Sequence, residues 1–133
     1  MEKIKSLKDI VIDKFIEYKD NIAFIEQGNR DKFNYIRYSM VREKILSLGT
    51  SLYSNENLRG KKIAVIGENS SKWFITYMAV ICGVGIIVPL DKELPKDEII
   101  NLIKRSDIKM VVYSNKKENK PPNIINSNGL NNV

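Results

Sequence analysis

The sequence predicts an α/β fold: a three-stranded parallel βαβαβ core with flanking helices and a small N-terminal β pair. Three observations predict it. Residues 61–95, KKIAVIGENSSKWFITYMAVICGVGIIVPLDKELP, run through strand, turn, apolar helix, strand and turn without a break. A second helical pattern with an acidic start and a basic end follows over 95–105, and a third apolar run over 110–113. Strands alternating with helices imply crossover connections, hence co-directional strands with right-handed crossovers.

The elements follow in order. Ser6, Leu7, Lys8 and Asp9 have capping-box spacing, and Leu7, Ile10, Val11, Phe15 and Tyr18 recur at helical intervals, predicting an amphipathic helix to about Tyr18. Asn21 starts a turn into the apolar run 22–25, and the segment 27–31 separates it from 33–36, the pattern of an antiparallel pair. Val41, Ile45, Leu48 and Leu52 fall at i, i+4, i+7 and i+11, marking a helix over about 39–53, and Gly49 on it signals close packing. Residues 54–59 are a polar connection that Gly60 closes.

From Lys62 the pattern changes. Residues 63–66 are continuously apolar, as in a parallel strand covered on both faces, and Gly67 ends the run. The helix that follows carries Trp73, Phe74, Tyr77, Met78, Val80, Ile81 and Val84, apolar on nearly every side, so it requires burial and ends near Val84. Residues 86–88 form the next strand. Pro95 then stands at a first helical position, Asp97 and Glu98 occupy the first turn, Ile99, Leu102 and Ile103 share a face, and Lys104 and Arg105 close the helix in agreement with its dipole. The last nineteen residues, 115–133, hold seven asparagines, three lysines and the pair Pro121 and Pro122, with four apolar side chains, too few to offset the entropy of ordering. The expected organisation is one domain over 1–114 and a disordered or loosely attached tail over 115–133.

Composition narrows the chemistry. A chain of 133 residues, 43% hydrophobic, suffices for one core and not for two. Its 22 basic and 16 acidic side chains leave +6, yet they are interleaved: the first twenty positions hold five lysines and five carboxylates. This is the pattern of solvated helix faces, without the basic stripe of a nucleic-acid binder. With no histidine, Ser/His and Cys/His catalysis and a His-bound zinc drop out. The one cysteine, Cys82, sits in an apolar run as a small buried hydrophobe and excludes an internal disulfide. The N-terminus has no secretory pattern, so a cytoplasmic setting is expected. Eighteen uncharged residues, 73–90, meet the lower limit for a membrane span, but Gly83, Gly85 and Pro89 divide them into pieces too short to cross a bilayer.

Two turns are candidate sites. Gly67, Glu68, Asn69 and Ser70 lie between a buried strand and a helix start, where open α/β sheets bind ligands. Asn69 or Ser70 there serves as N-cap, or the free N–H groups attract an anion. One glycine does not make a dinucleotide fingerprint, and no G-x-x-x-x-G-K-[ST] loop occurs. Trp73 either lines an acyl pocket or belongs to the core, as does Tyr77. Pro89, Leu90, Asp91, Lys92, Glu93 and Leu94 form the second turn, and surface turn chemistry explains Asp91 and Glu93 better than a catalytic carboxylate pair. The candidate substrate-binding residues are thus Asn69, Ser70 and Trp73; no position is assigned a catalytic or metal-binding role.

Taken together, residues 6–114 resemble the N-terminal part of the adenylate-forming (AMP-binding) enzymes, nearest to long-chain fatty acyl-CoA synthetases. The resemblance rests on the leading helix entering Asp20, Asn21, Ile22, Ala23 and Phe24, on Tyr38 leading to Leu48, Gly49, Thr50, Ser51 and Leu52, on KIAVIGENS with Trp73, and on Gly83 through VPLD to Leu94 and Pro95. It implies an incomplete N-terminal subdomain of that fold and a two-step ligase in which ATP, with magnesium, and a carboxylic acid such as a fatty acid give an acyl-adenylate, from which coenzyme A takes the acyl group. The family's Ser/Thr/Gly-rich phosphate loop, magnesium glutamate, ribose-binding aspartate and catalytic lysine match no position here, and residues from Asn115 do not resemble the family's continuation. The implied chain is a truncated ligase, inactive alone. The alternative is a non-enzymatic module that meets a partner or, weakly, a membrane surface through exposed apolar faces.

Overall fold

The computed structural model describes residues 3–114 and, for the backbone alone, 123–126. Helical turns α1 (Leu7–Asp9) and α2 (Phe15–Glu17) flank a π-helical stretch, Ile10–Lys14. The capping box at Ser6 forms as its spacing predicts: the Ser6 hydroxyl accepts from Asp9 N at 3.3 Å and the Asp9 carboxylate accepts from Ser6 N at 2.9 Å. The wider π turn is not legible in the spacing, and within it Arg42 Nε donates to the Ile12 carbonyl at 3.4 Å.

Strands β1 (Ile22–Gln27) and β2 (Phe33–Arg37) form the expected antiparallel pair. Their turn centres on Arg30 and Asp31, at φ 56° and 58°, with Lys32 N donating to Asn29 O. Two central residues at positive φ match the right-handed twist of the flanking strands. Helix α3 (Tyr38–Ser54) and a 3₁₀ turn (Glu56–Leu58) lead into the core.

The core is a parallel sheet. β3 (Lys62–Ile66) lies between β4 (Ile86–Leu90) and β5 (Ile108–Tyr113), parallel to both, with Ile63 opposite Ile87 and Ala64 opposite Val111. Two crossover helices connect them, α4 (Ser71–Ile81) and α5 (Lys96–Arg105). The chain steps from β3 to β4 in one direction along the sheet, then back past β3 to β5 in the other. Crossovers of one hand must then put the two helices on opposite faces, and they do. Val80 of α4 packs with Ile63, Met110 and Val112, whereas Ile103 of α5 packs with Ala64 and Val111. A third apolar layer joins Val11 and Phe15 to Val41 and Ile45 of α3 and to Ile75, Met78 and Ala79 of α4. The all-round apolar character of α4 follows from this sandwich between sheet and helices.

Several expectations need correction. α4 ends at Ile81, not near Val84; Gly83, at φ 142°, breaks the helix, and Val84 is buried in the connection. Pro95 is the residue before α5, at ψ 144°, so the first helical position is Lys96. β4 continues through Pro89, which a sheet tolerates on an edge strand because the missing N–H costs nothing there. Within the asparagine-rich span from 115, Asn123–Asn126 forms β6, antiparallel to β5 with Val111 opposite Ile125. The rest of 115–133 lies outside the described residues.

Candidate functional site at the carboxyl edge of the sheet

Ile66 and Leu90 end β3 and β4 side by side. From there the Gly67 loop departs to α4 on one face and the Asp91 loop to α5 on the other. This divergence opens a crevice at the position where open α/β sheets receive ligands. The crevice encloses about 630 Å³, and its lining includes Gly67, Glu68, Asn69, Trp73, Leu90 and Asp91. A neighbouring hollow of about 600 Å³ is lined by Ile66 and Val111 of the sheet and by Ile99 and Ile103 of α5. The two turns singled out in the sequence therefore meet along one edge.

The three candidate residues take different parts. Asn69 is exposed on the crevice wall. Ser70 is the N-cap of α4, its hydroxyl accepting from Trp73 N at 3.2 Å, which leaves Asn69 without the capping role. Trp73 is half-buried and stacks on Tyr77 with ring centroids 5.3 Å apart, so one residue both lines the crevice and packs on its own helix. Gly67 is confined, since a Cβ there would lie 3.2 Å from Ser114 Oγ and 3.7 Å from Trp73 Cδ1. Asp91 accepts from Glu93 N at 2.9 Å and Lys92 pairs with Glu93 at 3.4 Å, which is local turn chemistry.

The helix start that promised anion binding has a partner already. Glu26 of β1 reaches across 45 positions, and its Oε1 accepts from Ser71 N at 2.6 Å. With Ser70 on Trp73 N, the protein's own groups thus occupy two of the first N–H groups of α4. Sequence reasoning missed Glu26. The signal was its place on the strand: alternation puts it on the face of Phe24, whose ring lies 5.4 Å from Phe74 of α4, and a carboxylate on an inward face needs a donor.

Cys82 is half-buried against the helical layer, and burial pushes its thiol above the ordinary 9.0 although Lys8 pulls the other way. Among the described residues, no three of the histidine, cysteine, aspartate and glutamate type stand together to hold a metal ion. None of the described helices is long and apolar enough to cross a membrane.

Comparison with known proteins adds family and fold. The family model described as "AMP-binding enzyme" matches residues 14–131, a range that includes most of the asparagine-rich span from Asn115. Polyketide synthase-nonribosomal peptide synthetases from Phaeosphaeria nodorum and Aspergillus flavipes are 26% and 24% identical over 60% and 59% of the chain. The chain spans 2% of each of them. The N-terminal subdomain of Klebsiella oxytoca NpsA superposes with a TM-score of 0.73 at 20% identity, covering 96% of this chain and 32% of that one. A structure described as a long-chain-fatty-acid CoA ligase from Rhodopseudomonas palustris gives 0.69 at 20%, covering 81% and 26%. These likenesses establish the N-terminal subdomain fold of the adenylate-forming enzymes and do not separate fatty acid ligases from peptide-synthetase domains. With the family match running over most of its length, the chain belongs to the AMP-binding enzymes.

Proposed function

We propose that the chain is the opening part of a cytoplasmic ligase that joins a carboxylic acid to AMP and passes the acyl group to coenzyme A, with a fatty acid as the acid. The family match over residues 14–131 carries the adenylate-forming part of this reading, and the fatty acid and coenzyme A part rests on the resemblance of KIAVIGENS with Trp73 and of VPLD to the fatty acyl-CoA synthetases. The described residues do not fit ATP, magnesium or coenzyme A by themselves. No metal-binding group of side chains is assembled among them, and the start of α4 is taken by Glu26 and Ser70. In this reading the segment itself takes no chemical step. Its part is to supply the doubly wound layer and the wall holding Asn69 and Trp73, against which the remainder of such an enzyme closes. Alone, these 133 residues make no acyl-adenylate, because the phosphate loop and catalytic lysine of the family match no position in them.

A second reading has its own support. Both curated relatives are polyketide synthase-nonribosomal peptide synthetases, and one solved NpsA subdomain is in complex with 3-hydroxyanthranilyl-AMSN, so an aryl or amino acid is the rival to a fatty acid. The DNA that follows the codon for Val133 tests the reading first. A Ser/Thr/Gly-rich phosphate loop in any frame supports a ligase; unrelated sequence supports a dedicated non-enzymatic module. Where the loop is found, pyrophosphate release by the joined polypeptide with fatty acids, and none with aryl or amino acids, supports the coenzyme A ligase. The opposite preference overturns it.

A further inference from the structure

We propose that Glu26 is a latch that fastens the β1–β2 hairpin to the parallel core and, through it, fixes the loop 67–70 at the sheet edge. The inference stands whichever acid the family chemistry serves. Among the described residues the hairpin is a separate two-stranded sheet, paired within itself. Its inner face rests on the helical layer through Ala23, Phe24 and Ile36, contacts that are apolar and without direction. Its outer face carries Ile25, Phe33 and Tyr35, each more than half exposed, and contributes nothing to docking. Hydrogen bonds at the base of the hairpin, from Tyr38 N to Asn21 O at 3.1 Å and from Arg37 to Asp20 O, tie it to its flanking chain, but the non-directional contacts with α4 do not set its register against that helix. The 2.6 Å bond from Ser71 N to Glu26 does, because an acceptor on a strand must meet one particular N–H.

Charge strengthens the latch. The carboxylate lies at the positive end of an eleven-residue helix and is half-buried, where a bond to an ionised acceptor exceeds a neutral one. Ser71 itself is buried, at 3% exposure, so its N–H has poor access to water if Glu26 leaves. The adjoining Ser70, through its bond to Trp73 N, carries the constraint into the crevice wall. Glu26 is therefore a positioning residue acting through Ser71, and loss of its side chain should loosen the hairpin and the loop together while the β3–β5 core persists.

Amide hydrogen exchange and ¹H–¹⁵N spectra of the whole chain test this. In Glu26→Ala we expect exchange across 22–27 and 33–37 to quicken by roughly tenfold or more, the factor for losing a hydrogen bond to a charged group. The Ser71 amide signal should move upfield, while protection of β3 and β5 stays near wild type. Glu26→Gln keeps an acceptor oxygen in place and should restore most of the hairpin protection. Unchanged hairpin exchange in Glu26→Ala would overturn the latch. So would protection lost evenly through the sheet, which marks general destabilisation, or a Glu26→Gln variant no better than alanine.

Discussion

Gly85 shows how tightly one residue can be specified. A Cβ at this position would lie 2.3 Å from the Lys61 carbonyl oxygen, a backbone atom that cannot swing aside. The approach is close because Ile86 N donates to that same carbonyl at 2.9 Å as β4 joins β3. Gly85→Ala should therefore cost about 1–3 kcal/mol, the range for overpacked sites, read as a lower urea midpoint with an unchanged slope. Arg30 and Asp31 illustrate the reverse. Both hold positive φ without being glycine, and replacing them with Asn and Gly should raise stability by about 1 kcal/mol in the same assay. Asp9 gives a pH signature. The N–H of Lys5, then the Ser6 hydroxyl, hold its carboxyl below the ordinary 3.8. A depressed folded value means that its contribution is complete above 3.8 and lost as pH falls through the lowered value. The stability gap between wild type and Asp9→Asn should thus narrow as unfolding is repeated below pH 3.8; a gap that widens would contradict the assignment.

At the scale of elements, the caps and periodicities were readable because each depends on neighbours a few positions away. Ser6 with Asp9, the i, i+4 ladder of α3 and the serine before α4 are all local signals. So was Gly49, whose backbone approaches Ala79 of α4 closely enough that a Cβ would lie 3.4 Å from its carbonyl oxygen. Ser70→Ala should cost about 1 kcal/mol through loss of the α4 cap, measured by thermal or urea unfolding. What the sequence hid is long-range or runs against composition. β6 forms from Asn123–Asn126 because β5 offers an open edge, and neither asparagine content nor the nearby prolines betray that pairing. Pro89 concealed the last residues of β4 in the same way, since only the edge position of the strand makes proline acceptable. The π turn at Ile10–Lys14 left no mark in the periodicity at all.

For the molecule as a whole, strand direction was legible and so was the gathering of both candidate loops at one sheet edge, because chain reversal through α4 and α5 fixes which edge carries them. The partnership of Glu26 with the start of α4 was not, since it joins residues 45 positions apart across two separate sheets. The acid is not written in this segment either. Asn69 and Trp73 make up one wall of an open crevice, and a wall alone does not set the shape of a pocket. In the proposed reading, these residues form the scaffold of an adenylate-forming ligase without its reactive groups. Acid-dependent exchange of labelled pyrophosphate into ATP by the purified 133-residue chain, with magnesium and a panel of fatty, aryl and amino acids, tests this directly. No exchange above the acid-free control is the expected result; exchange that rises with any one acid and survives repurification would contradict it.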